Sequence, residues 1–445
     1  MIFLARRPLL LSYHLQYGLL SLRRNALITI LMILAIGIGI GAVMTTLTVF
    51  LVVSKDPMPD SSGRIFHPRM DAQDMAGFSP NGEPHDLMTR QDAEQLLREK
   101  QGVRQALMAA GSVIVEPPDN AQMPFRQRIR YTSADFFPMF QVPLAQGQVW
   151  TAADDQSLAR VVVLGEVLAN SLFPGANSIG KILRLNGVDF RIVGVIGPWE
   201  VHPKFYDLSR EGGFSDSEQI FIPFSTSREL RMGTAGSITC WGGADTQEGR
   251  LGVNSPCAWV QYWVELASAA DADAYIAYLE NYSALQRRNG RFQRPVNVRL
   301  DNITSWLKYK RVVPSDVRLQ TWLAAGFLFI CLLNTTGLLL AKFLRRAPEI
   351  GLRRALGAPR SAVFLQCLVE AGIVGIAGGL AGLLFAWIGL WAVRQQSAGH
   401  AHLAMMNAST LVWAVTLSIL ATLIAGSFPA WRACRIAPAS QLKNL

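Results

Sequence analysis

Apolar and polar positions in this chain fall into separate blocks. Ala26–Val53 carries no charged residue, and similar runs cover roughly Leu319–Ala341, Ala371–Val393 and Leu411–Phe428. Each reaches or approaches the ~20 residues that a helix needs to cross a hydrocarbon core. Four spans are expected, and the long polar segment Ser54–Arg318 parts the first from the rest. That segment has its own periodicities. "ARVVVLGEVLANSLF" predicts a buried strand over Val161–Leu164, a turn at Gly165 and an amphipathic helix. "KILRLNGVDFRIVGVIG" alternates around Asn186-Gly187, a strong hairpin signal. "DSEQIFIPFS" predicts a strand ending at Pro223, and "MTRQDAEQLLREKQGV" a helix capped by Thr89. The expected fold is an α-helical membrane domain with four transmembrane helices, plus a large α+β extracytoplasmic (periplasmic) domain inserted between helices 1 and 2. The outer domain is long enough for two subdomains.

Composition agrees with this division: half of the residues are hydrophobic and only 17% are charged. The net charge of +10 is mainly a topology signal. Lys342, Arg345, Arg346, Arg353, Arg354 and Arg360 crowd the link between spans two and three, while Arg432, Arg435 and Lys443 follow span four. Arg6, Arg7, Arg23 and Arg24 precede a first apolar run too long for a cleaved signal, so it reads as an uncleaved anchor. The expected order is a cytoplasmic amphipathic segment 1–25, span 26–53, a periplasmic domain 54–318 and span 319–341. A cytoplasmic segment 342–361 with a short helix, span 362–393, a periplasmic link 394–410, span 411–428 and a cytoplasmic tail 429–445 follow. No basic soluble face with interleaved aromatics suggests nucleic acid.

Of five cysteines, only Cys240 and Cys257 fall in the outer segment. In an oxidising compartment such a pair commonly closes; two unpaired thiols or half of a zinc site are the alternatives, with no matching Cys/His pair nearby. Gly37 and Gly41, Gly375 and Gly379, and Gly378 and Gly382 place small residues at i, i+4, which allows helices to approach closely, within the chain or between subunits. "GIGIG" therefore reads as helix packing rather than a dinucleotide loop, having no strand before it and no acidic partner after it.

No P-loop is present. Glu94, Asp154, Asp155, Glu166 and His202 read as solvated surface residues. His14, His400 and His402 near the membrane interface suggest no metal site, and Ser171 and Ser427 lack a nucleophile context. No catalytic residue, metal or bound cofactor is expected. Glu370, at the edge of the third run, is expected to reach the interface or to pair with an arginine such as Arg360.

"PEIGLRRALGAPR", between spans two and three, predicts a short helix. Pro348 suits its first position, Glu349 its positive end and Gly357 its stop. Leu352, Ala355 and Leu356 share one face, expected against the membrane or the span ends. Ile350, flanked by Arg353 and Arg354, is expected to face water as an apolar knob for a partner's groove; an interfacial amphipathic helix is the alternative.

Asn334–Phe385, which contains this helix, resembles the permease core of the MacB/FtsX-like superfamily of ABC transporters, and "FPAWRACRIAPASQL" resembles its closing stretch. Thr132–Trp150, Val161–Ile196 and Ile220–Thr226 resemble the MacB-type periplasmic core domain. The resemblance implies that Glu349, Ile350, Gly351, Arg353, Arg354, Ala355, Gly357 and Ala358 form the helix that docks on an ATPase. It implies two permease chains, alike or related, and two ATPase subunits that bind the ATP and Mg. It further implies mechanical work on the periplasmic side of a bacterial inner membrane. Two departures stand out: no ATPase is fused to this chain, so a separate one is expected, and Pro348 replaces the basic residue that often precedes the Glu. Export of an antibiotic, peptide, siderophore or lipid, with an adaptor and an outer-membrane duct, is the expected function. An FtsX-like relay to a cell-wall hydrolase and a LolC/LolE-like lipoprotein extractor are the alternatives.

Overall fold

The computed structural model describes residues 26–118, 123–208, 213–242, 249–313, 315–395 and 408–435. The segment 1–25 with its arginines and His14, the link carrying His400 and His402, and the closing stretch with Lys443 lie outside these. The chain divides into two units, 1–54 with 313–445, and 55–312.

The first unit contains the helices α1 (Ala26–Ser54), α9 (Ser315–Arg345), α11 (Arg360–Arg394) and α12 (Ala408–Cys434), with a short helix α10 (Ala347–Ala355) between α9 and α11. The four long helices are long and apolar enough to span a membrane. They extend past the apolar runs in sequence because polar and charged residues at their ends continue the helical hydrogen bonding.

In water a helix pair would be driven together by apolar burial, but in lipid close backbone approach must do more of that work. The glycines supply it. A Cβ on Gly37 would stand 2.9 Å from Ala381 Cβ, one on Gly41 2.6 Å from Phe385 Cβ, and ones on Gly378 and Gly382 within 2.7 and 2.8 Å of Ile36 and Ile40. These four positions therefore join α1 to α11. On α11, Gly375 and Gly379 face Thr422 and Ser418 of α12, and Ser418 Oγ donates to Gly375 O at 2.6 Å. The expected small-residue faces thus pack helices within this chain.

The second unit is α+β. Its strands are β1 (Ile65–Met70), β2 (Met88–Thr89), β3 (Arg104–Glu116), β4 (Phe125–Thr132), β5 (Leu144–Gly147), β6 (Val161–Gly165), β7 (Ile182–Leu185), β8 (Val188–Ile196), β9 (Ile220–Pro223), β10 (Thr239–Cys240), β11 (Cys257–Glu265) and β12 (Val298–Asn302). Its helices are α2 (Arg90–Glu99), α3 (Phe136–Met139), α4 (Ala152–Gln156), α5 (Glu166–Leu172), α6 (Phe224–Glu229), α7 (Ala272–Arg288) and α8 (Ile303–Tyr309). Thr89 accepts from Asp92 N as the cap of α2, and Asn186 and Gly187 both take positive φ in the tight β7–β8 turn.

The main sheet runs β12-β1-β11-β3-β4-β9-β6-β8-β5. Because β7 pairs with both β8 and β3, the path β3-β4-β9-β6-β8-β7 returns to its start as a closed ring. Alternation along the strands then sends side chains to two cores. Val113, Ile129, Val162, Leu164, Leu185 and Ile192 enter one. Met108, Val161, Val163 and Phe221 enter another, with Phe136, Phe140, Phe205, Tyr206 and Trp263. The sulfurs of Cys240 and Cys257, on paired strands β10 and β11, are bonded at 2.07 Å.

Candidate functional site: the helix between α9 and α11

Local chemistry defines α10 at both ends. Pro348 occupies the first turn beside the acidic Glu349, and Arg353 and Arg354 lie in the last turn, each charge complementing the helix dipole. At the far end Gly357 takes φ +100°, Ala358 N donates to Arg353 O and Gly357 N to Arg354 O, both at 3.1 Å. This is a Schellman closure, which needs the left-handed conformation glycine supplies. Pro359 then prevents continuation and occupies the position just before α11.

A chain of ionic contacts ties this helix to the spans. Glu370 of α11 is 1% exposed. Its carboxylate faces Lys342 Nζ at 3.1 Å and Arg346 Nη1 at 2.7 Å. Arg346 Nε continues to Glu349 at 3.3 Å, and Glu349 to Arg353 Nη2 at 2.9 Å. Arg353 Nη1 also donates to Gln366 Oε1 of α11 at 3.4 Å. Arg354 Nη1 donates to Cys434 O, near the end of α12, at 3.0 Å, where helix carbonyls lack internal donors. Residues of α10 thus contact α11 and α12, with Arg346 joining it to the end of α9.

The orientation corrects the expected direction of Ile350. Ile350 is half-buried against the helical core, and Gly351 is buried. Leu352 and Leu356 point outward, 56% and 80% exposed, and Ala355 is exposed with them. A buried carboxylate must be answered by cations, so Glu370 draws the Arg346–Glu349–Arg353 side of α10 inward. Ile350 turns in with it. The partner of Glu370 is correspondingly Arg346 with Lys342, not Arg360.

The sequence profile of the MacB-like periplasmic core domain matches residues 29–282. That of the FtsX-like permease C-terminal region matches residues 322–438 and so covers α10. The chain belongs to the MacB/FtsX-like permease family of ABC transporters.

Relatives of this MacB/FtsX-like chain are distant. The pyoverdine export ATP-binding/permease protein PvdT of Pseudomonas aeruginosa is 24% identical over 83% of this chain and 50% of its own length. The macrolide export ATP-binding/permease protein MacB of Syntrophobacter fumaroxidans is 24% identical over 96% of this chain and 63% of its own. The chain therefore spans about half to two thirds of these curated relatives. The periplasmic region of MacB from Actinobacillus actinomycetemcomitans aligns at 14% identity over 57% of this chain and 94% of its own, with a TM-score of 0.37. The four apolar helices and the periplasmic-type domain fit an inner-membrane protein.

Other expectations resolve residue by residue. Glu94 is half-buried and pairs with Arg90 at 2.6 Å. Asp154 caps α4 with Thr151, and Glu166 opens α5. His202 Nε2 stands 4.0 Å from Glu200. Asp155 departs from the surface reading: burial, with Asp135 and Asp154 nearby, pushes its carboxyl up to about 7.

Sequence reasoning missed a buried ionic cluster in the second unit. Arg130 of β4 pairs with Asp207 at 2.6 Å and with Glu218, Lys204 Nζ reaches Glu218 at 3.0 Å, and Arg130 Nη1 donates to Gln261 Oε1 at 2.7 Å. Burial opposes the ionisation of Glu218, yet Arg130 and Lys204 hold its carboxyl below the usual range. The one local signal was a run of arginines alternating along β4, Arg126, Arg128 and Arg130, whose last member lies inside.

Proposed function

We propose that this chain is the permease subunit of an ABC transporter whose ATPase, carried on a partner chain, docks on α10. Two permease chains and two ATPase subunits work together, with ATP and Mg bound by the ATPases and no cofactor or catalytic site on this chain. The termini and α10 face the cytoplasm and residues 55–312 face the periplasm. ATPase closure displaces α10, the Glu349–Arg346–Glu370 chain passes the displacement to the spans, and the periplasmic unit does mechanical work. The output is export, with a periplasmic adaptor and an outer-membrane duct. The pyoverdine and macrolide exporters among its relatives support that direction.

The observation that carries this reading is α10 itself. Its charged side is spent on the chain's own helices while an apolar pair, Leu352 and Leu356, is left open. An exposed apolar pair on a helix anchored from behind is suited to a groove in a partner. The test is capture of the tagged chain from cross-linked cells in mild detergent, with mass spectrometry of what is retained. An ATPase with an adaptor or outer-membrane duct is expected. An ATPase with a cell-wall hydrolase or a lipoprotein chaperone would move the assignment to a relay or an extractor, and no ATPase would overturn it.

A further inference from the structure

A cleft in the second unit has no role in that reading. It is walled by α2, α4, α6 and residues 249–253 and encloses about 1280 Å³, somewhat more than the roughly 300–1,000 Å³ of ordinary ligand clefts. Arg228 of α6 forms part of its wall and is 8% exposed. The guanidinium carbon sits 5.3, 5.6 and 5.2 Å from the ring centres of Tyr131, Phe224 and Trp259. Nε donates to Ser227 Oγ at 3.2 Å and Nη2 to Met232 O at 2.7 Å. Nη1 meets no acceptor among the described residues, and no carboxylate pairs with this arginine there.

Buried arginines are ordinarily paired, because desolvating the cation is costly. The aromatic rings offset part of that cost. Burial brings the guanidinium down only to about 10, so it remains charged at neutral pH. The described surroundings do not supply a paired anion. Glu94 is already shared by Arg90 at 2.6 Å and Arg98 at 3.8 Å. Asp135 accepts from Gln105 N at 3.0 Å and Asp155 from Ala134 N at 3.0 Å. Lys100, Arg231 and Arg250 add further positive charge along the same wall, against Glu229.

We propose that this cleft binds a small molecule carrying a carboxylate or phosphate group, with Arg228 Nη1 taking the oxyanion and Leu97, Leu107 and Phe224 facing its apolar part. A charge-assisted hydrogen bond completes the guanidinium's donor set, and the basic wall draws the anion in. The inference goes beyond the transport reading, since it requires neither an ATPase nor a second permease.

The experiment titrates the full-length chain in detergent with sodium phosphate and, separately, sodium acetate, balancing ionic strength with chloride. Tryptophan fluorescence is the readout, because Trp259 packs on the Arg228 guanidinium, and melting temperature is followed in parallel. A saturable response beyond the chloride control is expected in the wild type. A response to phosphate alone or to acetate alone supports the site and names the group it prefers. Arg228→Met should lose the response by at least tenfold while melting cooperatively. Should that variant fail to fold, Arg231→Glu on the exposed rim reads the same site, with a several-fold weaker response expected. Absence of a saturable response in the wild type, or unchanged titrations in the folded variants, would overturn the proposal.

Discussion

Each unit of this chain buries an ionic cluster, and the two are built to different plans. In the second unit Arg130, Lys204, Asp207 and Glu218 are wholly enclosed in a β-rich interior and answer one another among the described residues, with side chains at most 4% exposed. In the first unit the cluster is open-ended. It starts at Lys342 and Glu370, whose side chains are 0% and 2% exposed, and leads outward through Arg346 and Glu349 to Arg353, whose side chain is 32% exposed. A cluster enclosed on all sides holds β4 and the segment between β8 and β9 in place. A cluster with one buried and one accessible end can also carry a displacement, because moving the outer residues changes how the inner charge is answered. Of the two plans, the open-ended one is what the proposed coupling to an ATPase requires.

Breaking the closed cluster should have the largest structural effect. Arg130→Met leaves Asp207 and Glu218 buried with Lys204 as the remaining cation of the cluster among the described residues, and removing one partner of a buried set costs about 3–5 kcal/mol. Thermal unfolding of the full chain should lose the transition of the second unit or show it far lower; a melting profile equal to wild type would contradict the enclosed arrangement. The open cluster gives a sharper contrast. Glu370→Gln strands Lys342 and should cost about 3 kcal/mol, whereas Lys342→Met with Glu370→Met replaces a buried pair by apolar contacts and should recover most of it. The double variant should nevertheless couple poorly, because Arg346 has lost its inner anchor. Stability and ATPase stimulation measured on both variants check this, and a double variant that couples as well as wild type would show that the chain transmits nothing.

Asp155 provides the smallest of these effects. Its carboxyl is raised by burial from 3.8 to about 7, so the folded state holds the proton more tightly than the unfolded one. Its contribution to stability is present below the ordinary value and is lost as pH rises through that window. Asp155→Asn should remove about 2 kcal/mol of this decline, after allowing for its partial access to water. Melting temperatures of the two proteins between pH 4 and 7 should converge at the acid end and separate toward neutrality; parallel curves would contradict the shifted carboxyl.

What could be read from the sequence was local. Thr89 caps α2 by contacting a residue within the same turn, Asn186-Gly187 makes its hairpin from two adjacent backbone conformations, and Gly357 closes α10 by its own φ. The helix-packing glycines were legible because their spacing repeats with the helix. Which helices they join required the fold, as did the direction of Ile350. That direction is set by Glu370, on a different helix, rather than by the periodicity of α10. Arg130, Asp207 and Glu218 come from separate segments, and the aromatic enclosure of Arg228, with no carboxylate paired to it among the described residues, exists only once β4, α6 and β11 surround it. Charges whose partners are distant in sequence leave almost no pattern behind.

The most direct measurement compares the two faces of α10. Leu356→Asp and Leu352→Asp, on the open face, should leave the melting temperature of the purified chain unchanged and reduce ATPase co-purification and stimulation at least tenfold. Ile350→Asp, on the inward face, should lower the melting temperature itself. Wild-type ATPase association and stimulation in the folded Leu352→Asp and Leu356→Asp variants would contradict the assignment of α10 as the docking helix.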